Sequence, residues 1–213
     1  MNETIHISHF CIIRRNLVVV DHDVLYKDES SSISEFLKKA YKHFKISYAK
    51  YYKMDNLCKL GFLTSELLVN NRDLGRQYGR EKTGIILANA SSSLDTDRNY
   101  QESITDRNNY FPSPSVFVYT LPNIVMGEIC IRHHLKGENT FFIQEQFNPG
   151  FIHHYIKQLF DNEIVTCCIA GWVEMDGDQY EAAFYLVEKT SKLNGGIAIF
   201  DVDNIEKIYC MNF

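Results

Sequence analysis

The hydrophobic residues of this chain recur in two patterns, one typical of strands and one typical of helices. Short runs rich in β-branched and aromatic residues predict strands at 5–13, 83–90, 140–143, 164–173, 182–188, 197–202 and 208–213. Apolar residues at helical spacing predict helices at 32–44, 55–70, 122–136 and 149–160, with one short helix inside 91–111. The polar stretch from the first strand to residue 32 predicts a loop around a short apolar segment at 17–20.

Residues that favour helix ends support three of these boundaries. Ser32 and Glu35 have the spacing of a capping box, and Asn148 followed by Pro149 is typical of a helix start. Gly137 stands where a glycine commonly ends a helix. These residues therefore support the predicted starts of two helices and the predicted end of a third.

Strands and helices alternate along most of the chain. The run at 83–90 is continuously apolar, which is typical of a strand in a sheet covered by helices on both faces. This order predicts a layered α/β fold. Because no internal repeat or low-complexity linker interrupts it, residues 1–213 are expected to form a single domain.

Composition is typical of a globular protein and argues against several partners. Hydrophobic residues make up 45% of the 213 residues, more than a disordered chain contains. The net charge of −5, from 22 basic and 27 acidic residues, argues against binding to nucleic acid or to an anionic membrane. No apolar stretch is long enough for a membrane span and the first residues do not resemble a signal peptide, so a cytoplasmic protein is expected.

The histidines do not form a recognisable metal or catalytic motif. His153 and His154 lie on the polar side of their predicted helix, which favours a solvated face over a metal site. Cys130 and His134 share one helix face, but a thiol inside a helix lacks the positive end of the dipole that favours a thiolate. No phosphate-binding glycine motif occurs either, so neither a metal nor a cofactor is predicted.

The six cysteines form no CxxC pair and show no repeated spacing, so neither a zinc site nor a disulfide framework is predicted. Cys167 and Cys168 are neighbours in a predicted strand, where consecutive side chains point to opposite faces. Both are expected to fill the core.

Several short motifs follow one another in a fixed order over most of the chain. They are Met54-Asp55, Lys82-Thr-Gly84-Ile-Ile-Leu, Pro112-Ser-Pro-Ser115, Leu121-Pro-Asn-Ile-Val-Met-Gly127, Ile131-Arg132, Leu135-Lys-Gly137-Glu-Asn139 and Ala170-Gly-Trp-Val-Glu174. Together they resemble the N-terminal half of the β-ketoacyl-acyl-carrier-protein synthases, which have the thiolase fold. The resemblance implies a layered α/β, thiolase-like half, a single βαβαββ-type unit, with the C-terminal half absent.

The chain departs from this family at the catalytic groups. In active synthases, the strand after the Gly-x-Asn motif leads to a nucleophilic cysteine at a helix N-terminus. Counting from Asn139 puts Gln146 at that position, to within one residue, and no cysteine occurs between Cys130 and Cys167. The family's two further catalytic side chains, commonly histidines, lie in the absent half. The resemblance therefore implies a degenerate 3-oxoacyl synthase that is not an enzyme on its own.

Glutamine at the nucleophile position is typical of chain length factors, silent relatives that pair with an active synthase, and Glu145-Gln146 resembles their sequence there. The resemblance implies a dimer with a full-length β-ketoacyl synthase, and an acyl carrier protein as an indirect partner. The pathway would make a fatty acid, a polyketide, an aryl polyene or a related pigment or lipid. The surface on which the second half packs is expected to be apolar and covered by a partner or a second copy. Gln146 is expected to hydrogen-bond to backbone at the start of the following helix.

The same resemblance assigns roles to two groups of residues. The strand before Gln146 would run antiparallel to its counterpart across the dimer axis, with buried aromatic contacts. The residues expected at this interface are Phe141, Phe142 and Gln144. The residues expected to close the far end of the partner's acyl tunnel are Tyr100, Phe117 and Tyr119. An ordinary core or surface position explains each tunnel candidate at least equally well.

Two other functions are compatible with the sequence. Glutamine at this position accompanies malonyl decarboxylation in some relatives, where an amide stabilises the enolate of the acetyl thioester. That chemistry usually needs the absent histidines as well. Alternatively, the chain is a repurposed half-domain that associates with itself and binds another acyl ligand.

Overall fold

The strands form one mixed sheet. The computed structural model describes residues 4–29, 31–106, 108, 110–190 and 196–213. The strands are β1 (Thr4–Arg14), β2 (Leu17–Val20), β3 (Asp23–Lys27), β4 (Thr83–Asn89), β5 (Asn139–Ile143), β6 (Cys167–Asp176), β7 (Gln179–Thr190) and β8 (Ala198–Ile199). Their order across the sheet is β3-β2-β1-β7-β6-β4-β5, and β8 pairs with β1.

Strand β4, which is second from one edge of the sheet, runs parallel to both of its neighbours, β5 and β6, and the other pairs are antiparallel. All seven residues of β4 are buried, as its continuous apolar sequence predicts. The layered α/β fold is thereby confirmed. Also confirmed are the strands predicted at 5–13, 83–90, 140–143, 164–173 and 182–188.

Helices connect these strands and cover the sheet. They are α1 (Ile33–His43), α2 (Asn56–Val69), α3 (Leu74–Tyr78), α4 (Leu94–Thr105), α5 (Pro114–Phe117), α6 (Ile124–His133), α7 (Pro149–Asp161) and α8 (Val202–Tyr209), with 3-10 turns at Ala49–Lys53, Arg80–Lys82 and Val118–Thr120. Side-chain caps start two of the predicted helices. The carboxylate of Asp55 accepts a hydrogen bond from the Cys58 amide (2.8 Å), and the Asn148 side chain accepts one from the Phe151 amide (2.9 Å).

The two faces of the sheet bury separate hydrophobic clusters. Helices α1, α2 and α6 pack on one face, and α7 and α8 pack on the other. Cys167 belongs to the first cluster and Cys168 to the second, so these neighbouring thiols fill opposite sides of the core, as predicted.

The sequence predicts a loop around 17–32. This prediction is wrong, because the segment contributes strands β2 and β3. Arg15 and Asn16 adopt positive φ angles of 49° and 56° and make the tight turn between β1 and β2. A second turn is held by Asp21, whose carboxylate accepts a hydrogen bond from the Phe10 amide (2.8 Å). Val18 and Val19 are buried, so this apolar segment belongs to the core.

The strands predicted at 197–202 and 208–213 are also wrong for the most part. Only Ala198–Ile199 pairs with β1, and α8 occupies residues 202–209. Asp201 caps this helix by accepting a hydrogen bond from the Asn204 amide (2.8 Å). Ile205 and Ile208 recur at helical spacing and are buried against the sheet.

Helix α8 packs on the same sheet face as α7. The Tyr185 hydroxyl on β7 donates a hydrogen bond to the Ile205 carbonyl (3.1 Å), and the rings of Phe147 and Tyr209 lie 4.3 Å apart. These contacts fix α8 against the sheet, so α7 and α8 of this chain together cover this face.

Helix α6 is shorter than predicted. It begins at Ile124 and ends at His133, after which His134 adopts a left-handed conformation with φ 55°. Gly137 does not end the helix but lies against β4, where an added Cβ would be 2.5 Å from the Thr83 carbonyl oxygen. Among the described residues no single helix is long and apolar enough to cross a membrane; Pro114–Thr120 and α6 reach that length only together, bent by 98°.

Candidate functional site

The carboxyl ends of β4, β5 and β6 meet at one end of the sheet, because these strands are parallel. We call this region the carboxyl edge and define it as residues 89–92, 144–148 and 174. Ligands of open α/β sheets commonly bind beyond the carboxyl ends of the strands. The position that the family resemblance assigns to the nucleophile, Gln146, lies here.

Glu174 fixes the loop after β4. Its carboxylate accepts hydrogen bonds from the amides of Ala90 (2.6 Å), Ser91 (3.3 Å) and Met175 (3.0 Å). The Asn89 side chain completes the turn, accepting from the Ser92 amide (3.0 Å) and donating to the Ser92 carbonyl (2.7 Å). The backbone N–H groups of Ala90, Ser91 and Ser92 therefore already donate hydrogen bonds within the carboxyl edge.

Gln146 lies between the end of β5 and the start of α7. Its neighbour Phe147 is buried, and Asn148, not Gln146, caps the helix. The Gln146 side chain is exposed and makes no hydrogen bond with any residue that the structure describes. The predicted hydrogen bond from Gln146 to helix backbone is therefore wrong, because the Asn148 side chain already accepts from the Phe151 amide.

Trp172, which the sequence analysis did not single out, packs beneath this loop. Its ring lies 6.0 Å from that of Phe147, and the side chain is almost fully buried. The family motif that Ala170-Gly171-Trp172 resembles has glycine at the third position. The large indole of Trp172 therefore occupies space next to Phe147, the residue that follows Gln146. Tryptophan in place of the motif's glycine is the sequence signal that could have revealed this packing.

The thiols of the described residues are not poised for nucleophilic chemistry. Burial raises the pKa of Cys130 to about 11, and it also raises the pKa of Cys11, Cys58, Cys167 and Cys168. The exposed thiol, Cys210, follows the C-terminal end of α8 and lies outside the carboxyl edge. His134 lies beyond the end of α6, so it does not share a helical face with Cys130 as predicted.

Of the two histidines on α7, His154 is exposed, as expected. The expectation is wrong for His153, which is half-buried with its ring 5.4 Å from that of buried Phe200. Within the described ranges, no group of three or more His, Cys, Asp or Glu side chains is arranged to hold a metal ion.

The structure places Phe141 and Phe142 on the last strand of the sheet, β5, and Gln144 directly after it. Phe141 packs against the cluster under α2 and α6, and the Phe142 ring contacts Phe151 and Tyr155 of α7 at 4.8 and 5.0 Å. Gln144 is half-buried, and its side-chain oxygen has no hydrogen-bond partner among the described residues. The exposed apolar side chain of β5 is that of Ile143 (53% exposed), which sequence reasoning missed.

The three tunnel candidates separate into two locations. Tyr100 of α4 and Phe117 of α5 are in ring contact at 5.4 Å, and Phe117 is 57% exposed. Tyr119 is buried, and its hydroxyl donates a long hydrogen bond to Glu128 (3.4 Å). Burial and the neighbouring Glu128 carboxylate raise the pKa of Tyr119. Tyr119 also lines a cavity of about 310 Å³ between α2, α4 and α5.

No family model and no curated protein matches the sequence. Solved structures do. The ishigamide ketosynthase/chain length factor is 16% identical with a TM-score of 0.66, over 90% of this chain and 64% of that one. The AntDE:AntF complex, a type II polyketide synthase carrier protein with its ketosynthase, is 11% identical with a TM-score of 0.64, over 88% and 63%.

A third structure is more similar to this chain in length. It is the ketosynthase ApeO in complex with its chain length factor ApeC from Xenorhabdus doucetiae, 11% identical with a TM-score of 0.56, over 97% of this chain and 90% of that one. These likenesses show the fold: the chain folds like the matched parts of these ketosynthase and chain length factor structures, as the sequence motifs predict. It spans about 64% of the first structure's chain.

Proposed function

We propose that this chain is a non-catalytic subunit, similar in role to a chain length factor, that pairs with an active β-ketoacyl synthase. The observation that carries the proposal is Gln146, exposed at the carboxyl edge where the resemblance places the nucleophile. An amide does not form the thioester through which a synthase holds its acyl chain. The chemistry would therefore belong to the partner.

The free edge of β5 supports pairing through this strand. The Glu138 carbonyl accepts a hydrogen bond from the Ile85 amide, and the Gln144 amide donates one to the Asn89 carbonyl, so even-numbered residues of this segment face β4. Backbone groups alternate in direction along a strand. The N–H and C=O groups of Phe141 and Ile143 therefore point away from the sheet, where an antiparallel strand can bind them.

An exposed apolar surface supports a partner as well. Its residues all lie in the connection from α4 to α6, and Phe111 is 74% exposed. They are Tyr110, Phe111, Phe117, Val118 and Leu121. We call this group the 110–121 surface. Five large apolar side chains exposed within twelve residues support an interaction site in this connection.

In this proposal the 110–121 surface faces the synthase, and Tyr100, Phe117 and Tyr119 limit the length of its acyl tunnel. The carrier protein meets the synthase, so this subunit contacts it only indirectly. Polyketide synthesis is the pathway class that the AntDE:AntF likeness favours, with fatty-acid, aryl-polyene or pigment synthesis as narrower alternatives. The subunit and its partner would act in the cytoplasm.

The test is co-expression of this chain with a full-length β-ketoacyl synthase. We expect a complex of one copy of each, and condensation of malonyl units on the carrier protein only when both chains are present. A chain that forms a homodimer and ignores the synthase would contradict the proposal and favour a repurposed acyl-binding half-domain. Malonyl decarboxylation by the isolated chain, lost in Gln146→Ala, would contradict it in favour of an enzyme.

Restoring a thiol at position 146 is expected to give no condensation by the isolated chain. Groups that act as a catalytic unit are strongly non-additive, so one of three regains little. Gln146→Cys should label with iodoacetamide yet produce no β-ketoacyl carrier protein above background. Gln146→Ala in the complex with the synthase is the control and should leave the condensation rate within about twofold, a change under 1 kcal/mol. Condensation by isolated Gln146→Cys would show that the catalytic partners are present after all.

A further inference from the structure

The cavity behind Tyr119 is not explained by the proposed function alone. It measures about 310 Å³, which is at the lower end of ligand pockets, and lies between the start of α2, helix α4 and helix α5. Met54, Val116 and Tyr119 give it apolar walls, while Asp55, Asn99 and Ser115 are among its polar lining residues. A mixed lining of this kind suits a ligand with both carbon and oxygen atoms.

Asp55 is fixed at one side of the cavity. Its two carboxylate oxygens accept hydrogen bonds from the Cys58 amide (2.8 Å) and the Thr96 hydroxyl (2.6 Å), so the orientation of the group is set. Burial raises the pKa of Asp55 despite these bonds. A ligand group that can donate a further hydrogen bond to this carboxylate would stabilise its charged form.

Asn99 is one of the lining residues with unused hydrogen-bonding capacity. Its carboxamide has no partner among the described residues, and one face of it lines the cavity while the residue is otherwise exposed. The Ser115 hydroxyl shares one hydrogen bond with Ser113 (3.0 Å) and retains further capacity. Both side chains can bond a hydroxyl or carbonyl group in the cavity.

A saturated chain end would be disfavoured there. Each polar side chain that loses water without gaining a partner costs about 1–3 kcal/mol. An oxygen-bearing chain end replaces that water with hydrogen bonds and still packs on Met54 and Val116. The lining therefore discriminates between oxygenated and saturated chains.

Two exposed residues of the cavity lining are sequence neighbours of residues assigned to the partner's acyl tunnel. Asn99 directly precedes Tyr100, and Ser115 lies two residues before Phe117; the rings of Tyr100 and Phe117 are in contact. Resting on the proposed pairing with a synthase, we propose that this cavity receives the oxygen-bearing end of the growing acyl chain, with Asn99 and Ser115 bonding its hydroxyl or carbonyl groups. The subunit thereby selects oxygenated chains over saturated ones.

Binding of two small probes to the isolated chain tests this inference. Triacetic acid lactone and hexanoate each have six carbons and one negative charge at neutral pH, but the lactone carries ring oxygens along its length. In amide NMR spectra we expect the lactone to shift Asn99, Ser115 and Tyr119 in a saturable manner. Hexanoate should bind about tenfold more weakly, since about one hydrogen bond separates them.

Two matched variants of α4 complete the test. Asn99→Phe fills part of the cavity and should abolish the lactone shifts, while Gln101→Phe, exposed on the same helix and outside the cavity, should preserve them. Equal binding of hexanoate, or lactone shifts that persist in Asn99→Phe, would overturn the inference. Failure of the wild-type chain to co-purify with the synthase would instead reject the proposed function, whatever the lactone does.

Discussion

Replacing Ile143 with proline is expected to abolish pairing with the synthase, and with it condensation, while the chain itself stays folded. The Ile143 amide points away from β4, so proline removes a donor that only a strand added from outside would use. Its ring would also obstruct that strand. A loss of about 3 kcal/mol would weaken the complex about a hundredfold, measured by sedimentation of the mixed proteins.

Ile143→Ala is the matched control for this prediction. It removes the exposed side chain but keeps the amide, so it should weaken the complex far less than proline does. Both variants should retain the wild-type unfolding midpoint, because edge strands tolerate proline and position 142 is already extended. If Ile143→Pro pairs as tightly as wild type, β5 is not the strand that meets the partner.

Local signals in the sequence were enough where an element is set by its own residues. Asn148-Pro149 before α7 is a cap whose geometry depends on a single turn, and the structure forms its hydrogen bond. Ser32 precedes α1 as predicted, but its side chain makes no capping hydrogen bond. The sequence pattern of a capping box therefore predicted the helix start correctly, although the box itself does not form.

Sequence reasoning failed where long-range packing decides. The turn between β1 and β2 uses Arg15 and Asn16 at positive φ without glycine, and therefore lacks the usual hairpin signal. Helix α8 has only Ile205 and Ile208 on its buried side, too few for periodicity to distinguish it from a strand. Each is stabilised by the sheet it packs on.

The candidate site was likewise only partly predictable from the sequence. Motif spacing located Gln146 at the carboxyl edge, because strand, loop and helix follow one another without insertion. It did not reveal that Phe142 packs on α7 of its own chain, or that Asn99 and Ser115 meet at one cavity. These contacts depend on how α2, α4 and α5 approach one another, which periodicity does not encode.

Replacing Gly171 with alanine is expected to unfold a large share of the protein. Gly171 lies in β6 with φ 155°, and an added Cβ would be 2.1 Å from the Ala183 carbonyl oxygen and 3.0 Å from the Phe184 Cα of β7. Backbone atoms of a central strand cannot move aside without breaking the β6–β7 pairing. We expect the free energy of unfolding, measured in urea, to fall by about 4 kcal/mol or more, out of a typical total of roughly 5–15 kcal/mol.

Gly127→Ala is the control that separates this clash from the general cost of replacing glycine. No atom lies within 4 Å of an added Cβ at Gly127, which is part of helix α6, so alanine should raise the free energy of unfolding by about 0.5–1 kcal/mol. The two variants are thus expected to change the free energy of unfolding in opposite directions.

The clash at Gly171 also affects the candidate site, because β6 continues from Gly171 to Trp172 and Glu174, which support the loops of the carboxyl edge. A Gly171→Ala protein within 1 kcal/mol of wild type would mean that β6 and β7 lie further apart than described.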